Sequence, residues 1–110
     1  MRRCDVVIVA LPGDKPRPAL VLQSDELMHS ASVLVCPFTS SLEFASPHRV
    51  VMEAATANGL KSASVLMTEK MQAIRREKCG DVIGRLTASE MADVETQLAF
   101  VLGLGSAGTS

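Results

Sequence analysis

The chain has 110 residues and is 47% hydrophobic, with 11 Lys and Arg against 12 Asp and Glu for a formal net charge of −1. That length suits one domain with one core, and the apolar content excludes the disordered class. No apolar run approaches the ~18 residues a membrane span needs. The near-zero charge gives no global basic field, and with only three aromatics, all Phe, extensive base stacking on Tyr or Trp is excluded.

Met1-Arg2-Arg3 has the charge of a secretory n-region. The apolar run Val6 to Leu11 behind it is short and is cut off by Pro12-Gly13-Asp14. No signal peptide is therefore expected, and the expected location is the cytoplasm. Asp5 to Leu11, rich in Val and Ile, reads as a buried strand. Pro12 to Pro16 is a loop, with a Pro-Gly-Asp turn and two further prolines. Arg17 to Gln23 is a second strand and Ser24 to Ala31 a polar connection. Ser32 to Phe38 is a third strand, which Pro37, lacking an N–H, places at an edge or bends. After a loop over 40–47, Arg49 to Glu53 is a fourth strand. Asn58-Gly59 marks a turn, and Ser64 to Thr68 begins a fifth strand. The segment 69–78 is mixed, with room for a short helical turn. Asp81 to Arg85 is a short sixth strand.

The clearest helix comes last. Thr87-x-x-Glu90 fits a capping box. Met91, Val94, Leu98 and Val101 form one apolar stripe, most simply a packing face. Gly103 is a natural stop, and 105–110 is expected to be a flexible tail. Many short strands followed by one helix predict a mainly β (α+β) domain, a small barrel with a C-terminal α-helix. Cys4, Cys36 and Cys79 are an odd number without C-x-x-C spacing. They predict neither a disulfide framework nor a zinc site.

Arg17 stands at the mouth of the second strand and Thr39-Ser40 at the end of the third. If those strands pair, a fixed cation and a hydroxyl face one cleft. A guanidinium fork gives two hydrogen bonds to phosphoryl oxygens, and its high pKa suits it to charge stabilisation rather than proton abstraction. His29 and His48 lack ligand spacing, so no metal site is expected. His48 has a suitable intrinsic pKa for proton transfer. The run Arg75, Arg76, Lys78, broken by Glu77, is either a wet surface or an RNA-backbone contact.

Several stretches together resemble the MazF/PemK toxins of bacterial toxin–antitoxin pairs. They are Cys4-Asp5-Val6-Val7 with Leu11-Pro12-Gly13, Lys15-Pro16-Arg17-Pro18-Ala19-Leu20-Val21, and Cys36-Pro37-Phe38-Thr39-Ser40. Ser64-Val65 through Ile74, Ile83-Gly84-Arg85-Leu86 and the helix ending Leu102-Gly103-Leu104 continue the match. The resemblance implies an SH3-like barrel of the CcdB/PemK type spanning 1–104 and a homodimer. It also implies a metal- and cofactor-independent endoribonuclease acting on single-stranded mRNA, and a cognate antitoxin. Its implied catalytic residues are Arg17, Thr39 and Glu69, the last falling where the family has an acid. The implied substrate-binding residues are Lys15, in the loop that covers substrate in the family, with Pro16, Ser40, His48, Lys70, Gln72 and Arg75. The chain departs from the family at Cys4, where Gly is usual, and at Gln72, where a cation is usual. Two other readings stand beside this one: a CcdB-like gyrase inhibitor that needs no phosphate-gripping cleft, and a weakened barrel that only binds its antitoxin.

Overall fold

Alternate residues of three strands point to opposite sides, and both sides are apolar. The strands are β1 (Asp5–Val9), β2 (Arg17–Val21) and β3 (Ser32–Thr39). Along them and just beyond β2, Val6, Leu20, Leu22, Cys36 and Phe38 pack into one buried cluster with Met91 and Val94 of the terminal helix. Val7, Val9, Ala19, Val21, Val33 and Val35 pack into a second with Ile74. Strands buried on both faces have no polar alternate positions, which is why they read as continuous aliphatic runs. The computed structural model describes residues 1–46 and 49–104. The expected tail at 105–110 and His48 lie outside the described residues.

The other strands are β4 (Val50–Met52), β5 (Ser64–Leu66), β6 (Gln72–Arg75) and β7 (Cys79–Arg85). Together the seven form one antiparallel sheet in the order β4-β5-β3-β2-β1-β7, with β6 paired to β3 off this path. The helix α1 (Ala88–Leu102) follows. This is the mainly β fold with a C-terminal helix that the order of elements predicts. The Thr87 hydroxyl accepts from the Glu90 backbone and the Glu90 carboxylate accepts from the Thr87 backbone, while Gly103 ends the helix in the left-handed conformation at φ 72°. Such a cap stabilises a helix by about 1 kcal/mol.

Three expectations need correction. Of the two readings of Pro37, an edge or a bend, the edge is wrong: β3 is central, flanked by β2 on one side and by β6 and then β5 on the other. Proline is tolerated because the second partner changes there, from β6 up to Val35 to β5 from Phe38. The segment 69–78 has the expected helical turn, but it also contains an unexpected strand. It holds β6 between two 3-10 turns, Thr68–Lys70 and Arg76–Lys78. Only Ile74 of β6 is buried, so no alternation announced that strand. The regular second strand ends at Val21; Leu22 N–H still donates to the Leu34 carbonyl at 3.0 Å, and beyond it the Gln23 side chain takes over the pairing. Its amide accepts from the Leu34 backbone and donates to the Ser32 carbonyl.

Backbone packing fixes the long loop before β5. Asn58 is buried; its side chain accepts from the Ala55 and Leu60 amides and donates to the Glu53 carbonyl. The following Gly59 has φ +72°, and a Cβ there would lie 2.1 Å from the Ile83 carbonyl oxygen. A Cβ on Gly84 would in turn lie 2.2 Å from the Asn58 carbonyl carbon. The loop and β7 therefore touch backbone to backbone. At the same end of β7, Arg85 pairs with buried Asp5 at 2.8 Å. Cys4, just before Asp5, has φ 78°, a conformation that costs L residues about 1–2 kcal/mol and that glycine adopts freely.

Candidate active site

The β2–β3 register places Ala19 opposite Pro37. Carried two residues to the strand ends, it sets Arg17 opposite Thr39 on one face of the sheet. Arg17 reaches across: its Nη1 donates to the Phe38 carbonyl at 3.4 Å, and its Nη2 meets the Asp14 carboxylate at 2.9 Å. Its Nε is buried without an acceptor. The Thr39 hydroxyl oxygen accepts from the Ser41 amide at 3.2 Å, which occupies a lone pair and leaves the hydroxyl proton to be donated outward.

Arg17, Thr39 and Ser41 form a ridge between two clefts. One, of about 670 Å³, runs past Leu11, Asp14, Phe44, Arg49, Lys70 and Gln72. The other, of about 570 Å³, holds Lys15, Pro16, Ser40 and Lys61. Leu11, Pro12 and Gln72 also border a third cleft, of about 560 Å³, with Arg75 and Lys78. Seven of the chain's 11 cationic side chains thus line one connected track: Lys15, Arg17, Lys61, Arg49, Lys70, Arg75 and Lys78. Among the described residues Asp14 is the only carboxylate on it. A protein of net charge −1 therefore presents a basic groove, which total charge could not reveal.

The structure gathers most of the expected residues. Arg17 and Thr39 line the same two clefts. Lys15, Pro16 and Ser40 lie on one side of them, Lys70 and Gln72 on the other, and Arg75 farther along. Glu69 does not line the clefts. Its carboxylate takes two 2.9 Å hydrogen bonds from Arg49 Nε and a shorter contact from Arg49 Nη2. That guanidinium holds the Glu69 carboxyl below its ordinary value of 4.5. Asp14 is held low in the same way by Arg17. Burial pushes the Cys36 thiol up to about 12, and it donates to the Met67 carbonyl, so it is a core residue rather than a nucleophile.

Two residues escaped the sequence reading. Arg49, whose side chain is only 13% exposed, is a second fixed cation in the large cleft. Phe44 lies beneath it, its ring centre 5.9 Å from the guanidinium carbon, and its carbonyl accepts from Arg49 Nη1. Nothing near Arg49 in the chain hinted at this, because its partner Glu69 is 20 residues away. Among the described residues no group of three or more His, Cys, Asp or Glu side chains is placed to hold a metal ion, and no helix is long and apolar enough to cross a membrane.

A small antiparallel sheet carries a cation-lined groove over Arg17 and Thr39. The chain belongs to the family of PemK-like, MazF-like toxins of type II toxin-antitoxin systems, whose model matches residues 2–102. It is 39% identical to a probable endoribonuclease MazF of Mycolicibacterium smegmatis, over 98% of this chain and all of that one. Among solved structures, the Mycobacterium tuberculosis toxin MazF-mt6 superposes with a TM-score of 0.81 at 27% identity, covering 92% of this chain and 98% of that one. A mycobacterial endoribonuclease in complex with its cognate antitoxin has the same fold, with a TM-score of 0.81 at 24% identity over 96% of this chain and 97% of that one.

Proposed function

We propose that this protein is a cytoplasmic, homodimeric toxin that cleaves single-stranded mRNA at specific sequences without a metal ion or other cofactor, and that a cognate antitoxin blocks its groove. The observation that carries this reading is that Arg17 and Thr39 both line the two clefts on either side of a ridge in the middle of a basic track. RNA brings its own nucleophile. The 2′-oxygen attacks phosphorus and its bond forms as the P–O5′ bond breaks, leaving a 2′,3′-cyclic phosphate and a 5′-hydroxyl. The 2′-proton passes to a base and the departing oxygen gains a proton. Arg17 and the Thr39 hydroxyl donate to the phosphoryl oxygens, where negative charge grows. RNA phosphate displaces Asp14 from Arg17, and the cations on either side of the ridge hold the flanking phosphates.

The reading is tested by incubating the protein with a long single-stranded RNA in excess chelator. Discrete fragments bearing 5′-hydroxyl ends are expected. Intact RNA across a wide range of protein concentrations rejects it.

Glu69 is a weak proton acceptor while Arg49 occupies it, so we assign it the holding of Arg49 in the cleft. The sign of its pH effect follows from its lowered value. The pair contributes stability that is fully present above pH 4.5, the ordinary glutamate value, and is lost as pH falls through the lowered one. Glu69→Gln is expected to raise KM several-fold, change kcat less than about threefold, and keep the acidic limb of the kcat/KM profile. A fall in kcat of about 10² or more with loss of that limb would instead make Glu69 the general base.

A further inference from the structure

Of the three phenylalanines, Phe38 is buried in the core and Phe100 is on α1, outside the three clefts; Phe44 alone faces the groove. It is 47% exposed, on the wall of the cleft that also holds Arg17 and Thr39. The backbone that carries the ring is held on both sides. The 3-10 turn Leu42–Phe44 is closed by Phe44 N–H to the Ser41 carbonyl at 3.1 Å and Ala45 N–H to the Leu42 carbonyl at 2.9 Å. Arg49 Nη1 donates to the Phe44 carbonyl at 2.9 Å while Glu69 holds the rest of that guanidinium. Glu69, Arg49 and Phe44 are therefore one linked unit joining the turn at Thr68–Lys70 to the loop after β3.

From this geometry, and resting on the endoribonuclease reading above, we infer that Phe44 is the platform on which one nucleobase next to the scissile phosphate stacks, with Arg49 fixing the ring from its other side. An aromatic face binds any base, since every base offers a π surface, and a preformed one needs little ordering on binding. The guanidinium within 6 Å of the ring centre adds a cation–π contact, and its remaining N–H groups point a cation at the same nucleotide's backbone. A single stacked base next to a phosphate held by Arg17 would set the register of the strand across the ridge. Phe44 is then a positioning and specificity residue for the cleavage, at a site where composition argued only against Tyr and Trp.

The test uses an RNA containing the mapped cleavage site, 2′-deoxy at the scissile nucleotide so that it binds uncut, and a series in which one base at a time is removed. For the wild-type protein one abasic position should weaken binding about 5- to 150-fold. Phe44→Ala should weaken binding of the complete RNA by the same factor and lose nothing more at that position, while Phe44→Trp should restore both the affinity and the abasic sensitivity. Phe44 is exposed, so an unchanged melting temperature separates these effects from misfolding. If the wild-type protein binds RNA but Phe44→Ala binds the series as the wild type does, or loses affinity equally at every position, the stacking platform is overturned and the nuclease reading stands. If Phe44→Ala keeps its RNA affinity but sediments at half the wild-type mass, the ring is a subunit contact and the inference is overturned. If the wild-type protein binds none of the RNAs, the reading beneath the inference falls as well.

Discussion

Arg17→Ala should lower the single-turnover cleavage rate by about 10²–10³, the usual cost of one preorganised donor to a developing oxyanion. Folding should hardly notice. The variant forgoes a solvent-exposed ion pair to Asp14 and a long, 3.4 Å hydrogen bond to the Phe38 carbonyl, neither of which contributes much to stability. Arg17→Lys keeps the charge but not the planar fork, so it should recover only part of the rate. Single-turnover kinetics at saturating enzyme, with circular dichroism of each variant, separate the chemical loss from an effect on folding. An Arg17→Ala enzyme within about threefold of wild type would remove Arg17 from the chemistry.

Gly59→Ala should be among the most damaging methyl additions at the described glycines. The new Cβ would sit 2.1 Å from the Ile83 carbonyl oxygen and 2.6 Å from its carbon, both backbone atoms that cannot swing away. The residue must also hold φ +72°, which alanine disfavours by about 1–2 kcal/mol. Overpacking adds about 1–3 kcal/mol more. A total near 2–5 kcal/mol corresponds to a melting temperature lower by about 10 to 25 °C for a domain of this size. The site lies in the loop that also carries Leu60 and Lys61 into the groove, so folded Gly59→Ala protein should lose RNA affinity too. Gly13, with φ +73° but open space around it, is the control: its alanine variant meets only the backbone strain and should cost far less. Equal losses at the two positions would show that close packing of the loop on β7 does not matter.

What could be read in the chain followed from local chemistry. Continuous aliphatic runs marked β1, β2 and β3, because both faces of those strands are buried. A capping box and a glycine stop bounded α1 almost to the residue. Arg17 and Thr39 could be paired because each stands at the end of a strand that the pattern made recognisable, and antiparallel pairing brings such ends together. The failures were non-local. Strand β6 buries only Ile74 and owes its conformation to pairing with β3, so its own residues carried no signal. Pro37 suggested an edge because the change of partner along β3 depends on where two distant segments dock. Arg49 and Phe44 entered the site through a 20-residue jump to Glu69. The same jump turned Glu69 away from the groove that its place in the family pattern suggested. The basic track was hidden by balance: its seven cations are offset by carboxylates elsewhere on the surface.

The most direct test of the account is a pair of RNAs that contain the mapped cleavage site and differ only in the 2′-hydroxyl of the scissile nucleotide. The deoxy version should bind with nearly the affinity of the native one and not be cut at that linkage, because the groove grips phosphates and bases while the missing oxygen was the nucleophile. Cutting of the deoxy linkage at a rate comparable to the native one would contradict the account, since the attacking group would then have to come from the protein or from water.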